Sequence, residues 1–217
     1  MRSRGAKPGP SKPSAQVPAT DDEIREKYLE RAIRELNQLT REIQGCEHCP
    51  RGNLMPVLGS GHPQADVFLL KYAPAPSEIE EGVAFYGRSG SALMKSLRRL
   101  DIDPLAVYGT LCVKCPVADT SLAAPECLAR LVEEIAIVQP KIVVVMGDEA
   151  LATLNDLQLP LAKAVEDRPG EVQTLTPSID ALVVPDIDGA LDEEEAKRAF
   201  WTAFRALGAW WSDFPPY

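Results

Sequence analysis

Gln139-Pro-Lys-Ile-Val-Val-Val-Met-Gly147 is the stretch on which the fold turns. Its apolar run is too short to cross a bilayer and has the β-branched content of a strand buried on both faces. Upstream, Leu128, Leu131, Val132, Ile135 and Val138 recur at helical spacing, with Pro125 suited to a first turn and Pro140 as the stop. Downstream, Gly147-Asp148 opens a short helix through Leu154. Helix, buried strand, helix is the repeating unit of a parallel sheet.

Working outward, the same alternation recurs. Ala65–Leu70 and Ala106–Val113 read as strands, and a helix with Leu93, Leu97 and Leu100 on one face separates them. Ala181–Pro185 reads as a fourth strand, followed by a last helix from about Leu191 that presents Phe200, Phe204, Leu207 and Trp211. At the other end, Asp21-Asp22-Glu23 begins an amphipathic helix with Ile24, Ile33, Leu36, Leu39 and Ile43 on its stripe, closed by Gly45. These elements predict an α/β protein with a mostly parallel sheet of about four strands, covered by helices on both sides. Ligands of such sheets sit at the carboxyl ends of the strands, here after residues 70, 113 and 185. Residues 1–20 are rich in Pro, Ser, Gly and Ala and are expected to be a disordered basic tail; residues 21–217 are expected to form a single domain.

The 217 residues carry a net charge of −9. The tail holds four basic residues and no acid, so the remainder stands at −13, and residues 166–195 alone contain ten acids against one arginine. That balance argues against a broad basic footprint for duplex DNA. No apolar run approaches the roughly 20 residues of a membrane span, and no secretory signal is evident, so a cytoplasmic location is expected.

In that compartment cysteines read as metal ligands rather than disulfides. Cys46-Glu-His-Cys49 follows a helix, Cys115 follows a strand, and Cys127 stands near the next helix start. Four thiolates at element ends suit zinc or an iron–sulfur cluster, and the spacing does not choose between them. Cys112, inside a strand, reads as packing. His48 and His62 are the only histidines and read as loop residues.

The order of motifs resembles the iron–sulfur uracil-DNA glycosylases, often called family 4. The resemblance rests on Cys46-Glu-His-Cys-Pro50, Ala84-Phe-Tyr-Gly-Arg-Ser-Gly90, Val113-Lys-Cys-Pro116 and Gln139–Gly147, and covers about Leu36 to Leu154 and, more weakly, the chain through the last helix. It implies a three-layer α/β/α sandwich and a [4Fe–4S] cluster on Cys46, Cys49, Cys115 and Cys127, with zinc as the alternative. It also implies a substrate pocket built from Ala73, Pro74, Phe85, Gly87 and Gly90, with Phe85 as the ring on which a flipped uracil stacks.

The polar positions of that pocket depart from the family. Its Gly-Glu-Ala-Pro-Gly loop reads Lys71-Tyr-Ala-Pro-Ala75 here, so Tyr72 replaces the acid that serves the attacking water. Leu111 replaces the Asn that reads uracil, and Val184 replaces the His that faces the leaving base. Loss of one donor to a developing anion costs on the order of 10²–10³ in rate. Three readings follow. The first is a catalytically inactive member acting as a binding or accessory protein in DNA repair, with a protein partner. The second is an enzyme with a rebuilt site using Tyr72, Glu78 or Asp186, although Glu78, Glu80 and Glu81 also read as a solvated loop. The third is a weak DNA-binding module using the basic tail with Lys71, Arg88, Lys95, Arg98 and Arg99. The aromatic end, Trp210–Tyr217, reads as helix packing or a partner patch.

Overall fold

The computed structural model describes residues 20–213. The expected tail therefore lies outside the described residues except for Thr20, as do residues 214–217. Thr20 is the helix cap rather than tail: its side chain accepts from Glu23 N, and the Glu23 carboxylate accepts from Thr20 N, a reciprocal capping box.

Helix α1 (Asp21–Gln44) ends at Gly45, as its sequence predicts. The sheet has six strands: β1 (Ser60–Gly61), β2 (Val67–Lys71), β3 (Val107–Leu111), β4 (Ile142–Met146), β5 (Val172–Thr176) and β6 (Ile179–Val184). Their spatial order is β1-β3-β2-β4-β6-β5. The inner four run parallel and the two edge strands are antiparallel. The four inner strands are those legible in the sequence. The two additional ones are edges: β1 is two residues long, and β5 is half-exposed, so neither carries a continuous apolar run.

Between the strands lie α2 (Pro76–Glu81), α3 (Arg88–Arg99), α4 (Glu126–Val138), α5 (Asp148–Asp156), α6 (Ile187–Ala190) and α7 (Glu194–Asp213). Alternation along the strands splits the apolar residues into two cores. On one face Phe68, Leu70, Val143 and Val145 pack with Leu131 and Ile135 of α4 and Leu151 and Leu154 of α5. On the other, Leu69, Val144 and Leu182 pack with Leu93 and Leu97 of α3 and Phe200, Phe204 and Leu207 of α7. The molecule is thus the expected three-layer sandwich. Each fully buried aliphatic or aromatic side chain contributes about 1.5–3 kcal/mol.

The stripe of α1 differs in part from expectation. Leu39 and Ile43 are buried and Leu36 packs on the first core, but Ile24 and Ile33 face outward. In the N-terminal half of α1 the buried residue is Ala32, and helical periodicity does not tell which residues of a stripe find a partner. Cys112 is a core residue, as read from sequence, and burial pushes its thiol up to about 12.

Candidate functional site

The carboxyl ends of the parallel strands place four side chains side by side. Lys71 pairs across the sheet with Leu111 and with Met146, and Met146 pairs with Val184. All four point to the α3/α7 face, and none is more than 1 % exposed. Leu111 packs with Val57, Ala84, Ile79 and Phe85, and Val184 packs in the α3/α7 core. Tyr72, one residue on, points the other way and packs its ring against the α4/α5 core. Strand alternation decides this: the polar group admitted to the row is Lys71, not Tyr72.

Lys71 is not a surface cation. Its Nζ lies 2.7 Å from Glu78 Oε2 and 2.5 Å from Asp188 Oδ2, and 5.7 Å from the centroid of the Phe85 ring. Glu78, read from sequence as a solvated loop residue, is fully buried. Besides Lys71 it accepts hydrogen bonds from Ala75 N at 2.7 Å and Phe85 N at 2.5 Å. Three donors on one carboxylate offset much of the cost of burying it. Asp188 comes from α6, whose N-cap Asp186 accepts from Gly189 N. Asp186 is thus committed to its own turn. One ammonium therefore ties β2, the α2 turn and α6 together beneath Phe85.

Phe85 itself sits in the left-handed region, φ 59°, at a cost of about 1–3 kcal/mol. Its surroundings hold it there. Glu78 fixes its amide, and its ring packs so closely on Gly109 that an added Cβ would lie 2.6 Å from Cδ2. A Cβ on Gly90 would meet Phe85 O at 1.8 Å. Phe85, Gly87 and Gly90 line a shared groove of about 620 Å³; Ala73 and Pro74 are half-buried and do not line it.

Three of the four cysteines expected as metal ligands gather in one buried cluster. The Sγ atoms of Cys49, Cys115 and Cys127 lie within 4.8 Å of one another, all three buried. Cys49 and Cys127 are 3.7 Å apart, and Ala124 N donates to the Cys49 sulfur. Tetrahedral thiolates on one ion at about 2.3 Å stand just under 4 Å apart, so the trio fits a shared metal. Its donor set, soft sulfur, selects zinc or iron–sulfur chemistry. Cys46 is not among them: it is half-exposed, with its Sγ 3.1 Å from His48 Nδ1. His48 Nε2 is 3.9 Å from Glu126. The trio's protons are unequally held. Hydrogen bonding from Cys115, aided by the Lys114 backbone, pulls Cys127 down to about 5, while Cys115 is pushed up by its bond to Cys127 and by burial. Burial likewise raises Cys49.

Sequence reasoning missed a second buried pair beside the metal site. Lys114 Nζ lies 2.7 Å from Glu134 and donates to Leu111 O at 2.8 Å. Glu134 also accepts from Tyr108 and Thr110. Glu134 occupies a position between Leu131 and Ile135 on the buried face of α4, and a charge on that face is the signal that would have found it.

A family model described as the uracil DNA glycosylase superfamily matches residues 58–207. Among characterised proteins, the type-4 uracil-DNA glycosylase of Pyrobaculum aerophilum is 30% identical over 145 residues, 63% of this chain and 73% of that protein. That of Archaeoglobus fulgidus is 23% identical over 184 residues, 80% of this chain and 92% of its own. That of Sulfurisphaera tokodaii is 31% identical over 124 residues, about half of each chain.

Proposed function

This chain belongs to the uracil-DNA glycosylase superfamily, and on that premise we propose that it is an iron–sulfur member that engages DNA without excising uracil, working as an accessory protein of cytoplasmic DNA repair. The observation that carries this reading is the closed row Leu111–Lys71–Met146–Val184. Base excision needs a polar edge-reader, a water-positioning group and a stabiliser of the departing anion. The row offers two aliphatic side chains, a thioether and an ammonium whose near neighbours are already carboxylates. Tyr72 faces away, and Asp186 is held in its own turn.

In this reading Cys46 joins Cys49, Cys115 and Cys127 as the fourth thiolate of a [4Fe–4S] cluster. The cluster would supply a structural brace, and the four cysteines hold it between the end of α1, the end of β3 and the start of α4. The test is an excision assay on anaerobically purified protein, using uracil in single- and double-stranded oligonucleotides, with iron content and visible spectrum recorded. The expected result is iron with a broad band near 400 nm and no uracil release. Release at rates comparable to the archaeal relatives would overturn the proposal, and zinc without iron would overturn the cluster.

One observation favours a second reading, a rebuilt active site. The triad Lys71–Glu78–Asp188 stands at the carboxyl end of the sheet, with Lys71 and Glu78 buried and Asp188 partly exposed. Release of any base from a panel of damaged oligonucleotides, abolished by Asp188→Asn, would establish it.

A further inference from the structure

Lys114–Glu134 is a buried ion pair that the functional reading above does not use and that stability does not explain. The two side chains are 1 % and 2 % exposed, with the ammonium 2.7 Å from the carboxylate. An ion pair this deep is often no more stabilising than apolar side chains of the same volume, because both charges lose their water. Here the chain adds polar groups to keep it. Glu134 accepts from the Tyr108 hydroxyl at 3.1 Å and from the Thr110 hydroxyl at 3.0 Å, and the ammonium donates to Leu111 O at 2.8 Å. Gly59 closes over the network: a Cβ there would lie 2.3 Å from the Tyr108 hydroxyl and 3.0 Å from Glu134 Oε1.

The pair adjoins the thiol cluster. Lys114 precedes Cys115 in the chain, and its carbonyl accepts from Val57 N at 2.7 Å, which ties it to the segment leaving Cys49. Its main chain and its ammonium both help draw the Cys127 thiol down, so Cys127 feels the ammonium more than the carboxylate. Glu134 stands on α4 seven residues past Cys127, about 10 Å along the axis. The pair thus turns its positive end toward the sulfurs. Around a divalent ion the three sulfurs are thiolates, and the complex carries net negative charge in a buried place. Burying net charge is costly, and a fixed cation beside it offsets that cost.

We propose that Lys114 is a positioning residue of the metal centre: its ammonium, aimed by Glu134, Tyr108 and Thr110, is the buried counter-charge for the thiolates of Cys49, Cys115 and Cys127. The carboxylate fixes where the ammonium stands, so the counter-charge is in place before a metal arrives. A metal is then held more tightly. In iron-loaded protein the reduced, more negative state is also favoured, which raises the reduction potential. This inference rests on the reading of the trio as a metal site, and it holds for zinc as for an iron–sulfur cluster.

The test compares two variants that break the same ion pair. Zinc affinity is read by competition with a chromophoric chelator, and the midpoint potential is read on iron-loaded protein. Lys114→Met removes the counter-charge and is expected to weaken zinc binding about 10–100-fold and to lower the potential. Glu134→Gln leaves the ammonium without its carboxylate and is expected to hold zinc at least as tightly as wild type and to raise the potential. A merely structural pair would not give opposite signs, since both variants open the same network. Lys114→Met/Glu134→Gln leaves no uncompensated charge and carries the test where a single variant fails to fold. Its affinity and potential are expected below wild type, because the nearer charge is lost. Weaker zinc binding in both single variants alike, or wild-type affinity in Lys114→Met or in the double variant, would overturn the proposal. Wild-type protein that takes up neither metal would overturn the metal reading with it. Uracil release would overturn only the functional reading above.

Discussion

Lys71 is a strand-end lysine that the sequence presents as an ordinary phosphate-binding candidate, and the structure buries it on the α3/α7 face. Its partners explain why this was not legible. Glu78 sits in a loop that reads as solvated, and Asp188 is 117 positions away. Burial of one ammonium between two carboxylates has a testable consequence. Lys71→Met keeps much of the volume but leaves Glu78 and Asp188 facing each other without a counter-charge. It should cost about 3–5 kcal/mol in denaturant unfolding. The triple variant Lys71→Met/Glu78→Gln/Asp188→Asn should recover a large part of that loss, because the penalty belongs to uncompensated charge. A loss under 1 kcal/mol in the single variant would mean the triad is solvated in solution. The cysteines yield a pH prediction at the same scale. In the metal-free protein the hydrogen bond from Cys115 draws the Cys127 thiol down to about 5, whereas burial pushes Cys49 up and the bond to Cys127 with burial pushes Cys115 up. A metal must displace the protons of Cys49 and Cys115, so its apparent affinity falls as pH falls. Zinc titration should show at least two protons released, and an affinity change of about 100-fold or more between pH 8 and pH 7. Release of fewer than two would exclude the buried trio as the ligand set.

Elements were legible where they were long or apolar. The inner strands β2, β3, β4 and β6 and the helices α1, α3, α4, α5 and α7 all carry a period or a buried run. The edge strand β5 does not, because one face meets solvent. Its signal is the hairpin, with Pro177-Ser178 between Thr176 and Ile179, which a reading weighted to apolar runs passes over. α2 and α6 are six and four residues long and have no periodicity to show. Both are held by the charged residues they contribute to the triad, so their order depends on partners distant in sequence. The coupling between β3 and the Phe85 loop can be tested through a single methyl group. Gly109→Ala places a Cβ 2.6 Å from Phe85 Cδ2 and 2.8 Å from Cε2, so the ring must leave the strand. The expected cost is about 1–3 kcal/mol in thermal or urea unfolding. Phe85→Ala in the same background should make the alanine at 109 nearly neutral, since the clash is then gone. If Gly109→Ala is already neutral alone, the ring does not rest on β3.

At the scale of the molecule, the cysteine trio and the closed row are two ends of one device. Cys115 lies four residues past the end of β3, and Lys114 beside it donates to Leu111 O, so the last strand residue is braced from the thiol side. Cys49 lies just past α1 and Cys127 in the first turn of α4, and Arg130 joins these helices again through Glu42 at 2.6 Å. The two apolar cores need none of this, since their strands and helices pack without a contribution from the cysteine trio. Removing the metal should therefore loosen one end of the protein rather than unfold it. Chelation of the loaded protein is expected to lower the melting temperature and to leave the far-ultraviolet signal of the sheet largely in place. Hydrogen exchange should quicken in residues 45–58 and 111–128, with Leu111 to Cys115 among them, while Ile142–Met146 stays protected. Global unfolding on chelation would show that the two cores depend on the metal. Unchanged exchange in both segments would show that the thiols brace nothing, and that Leu111 is held by Lys114 and Glu134 alone.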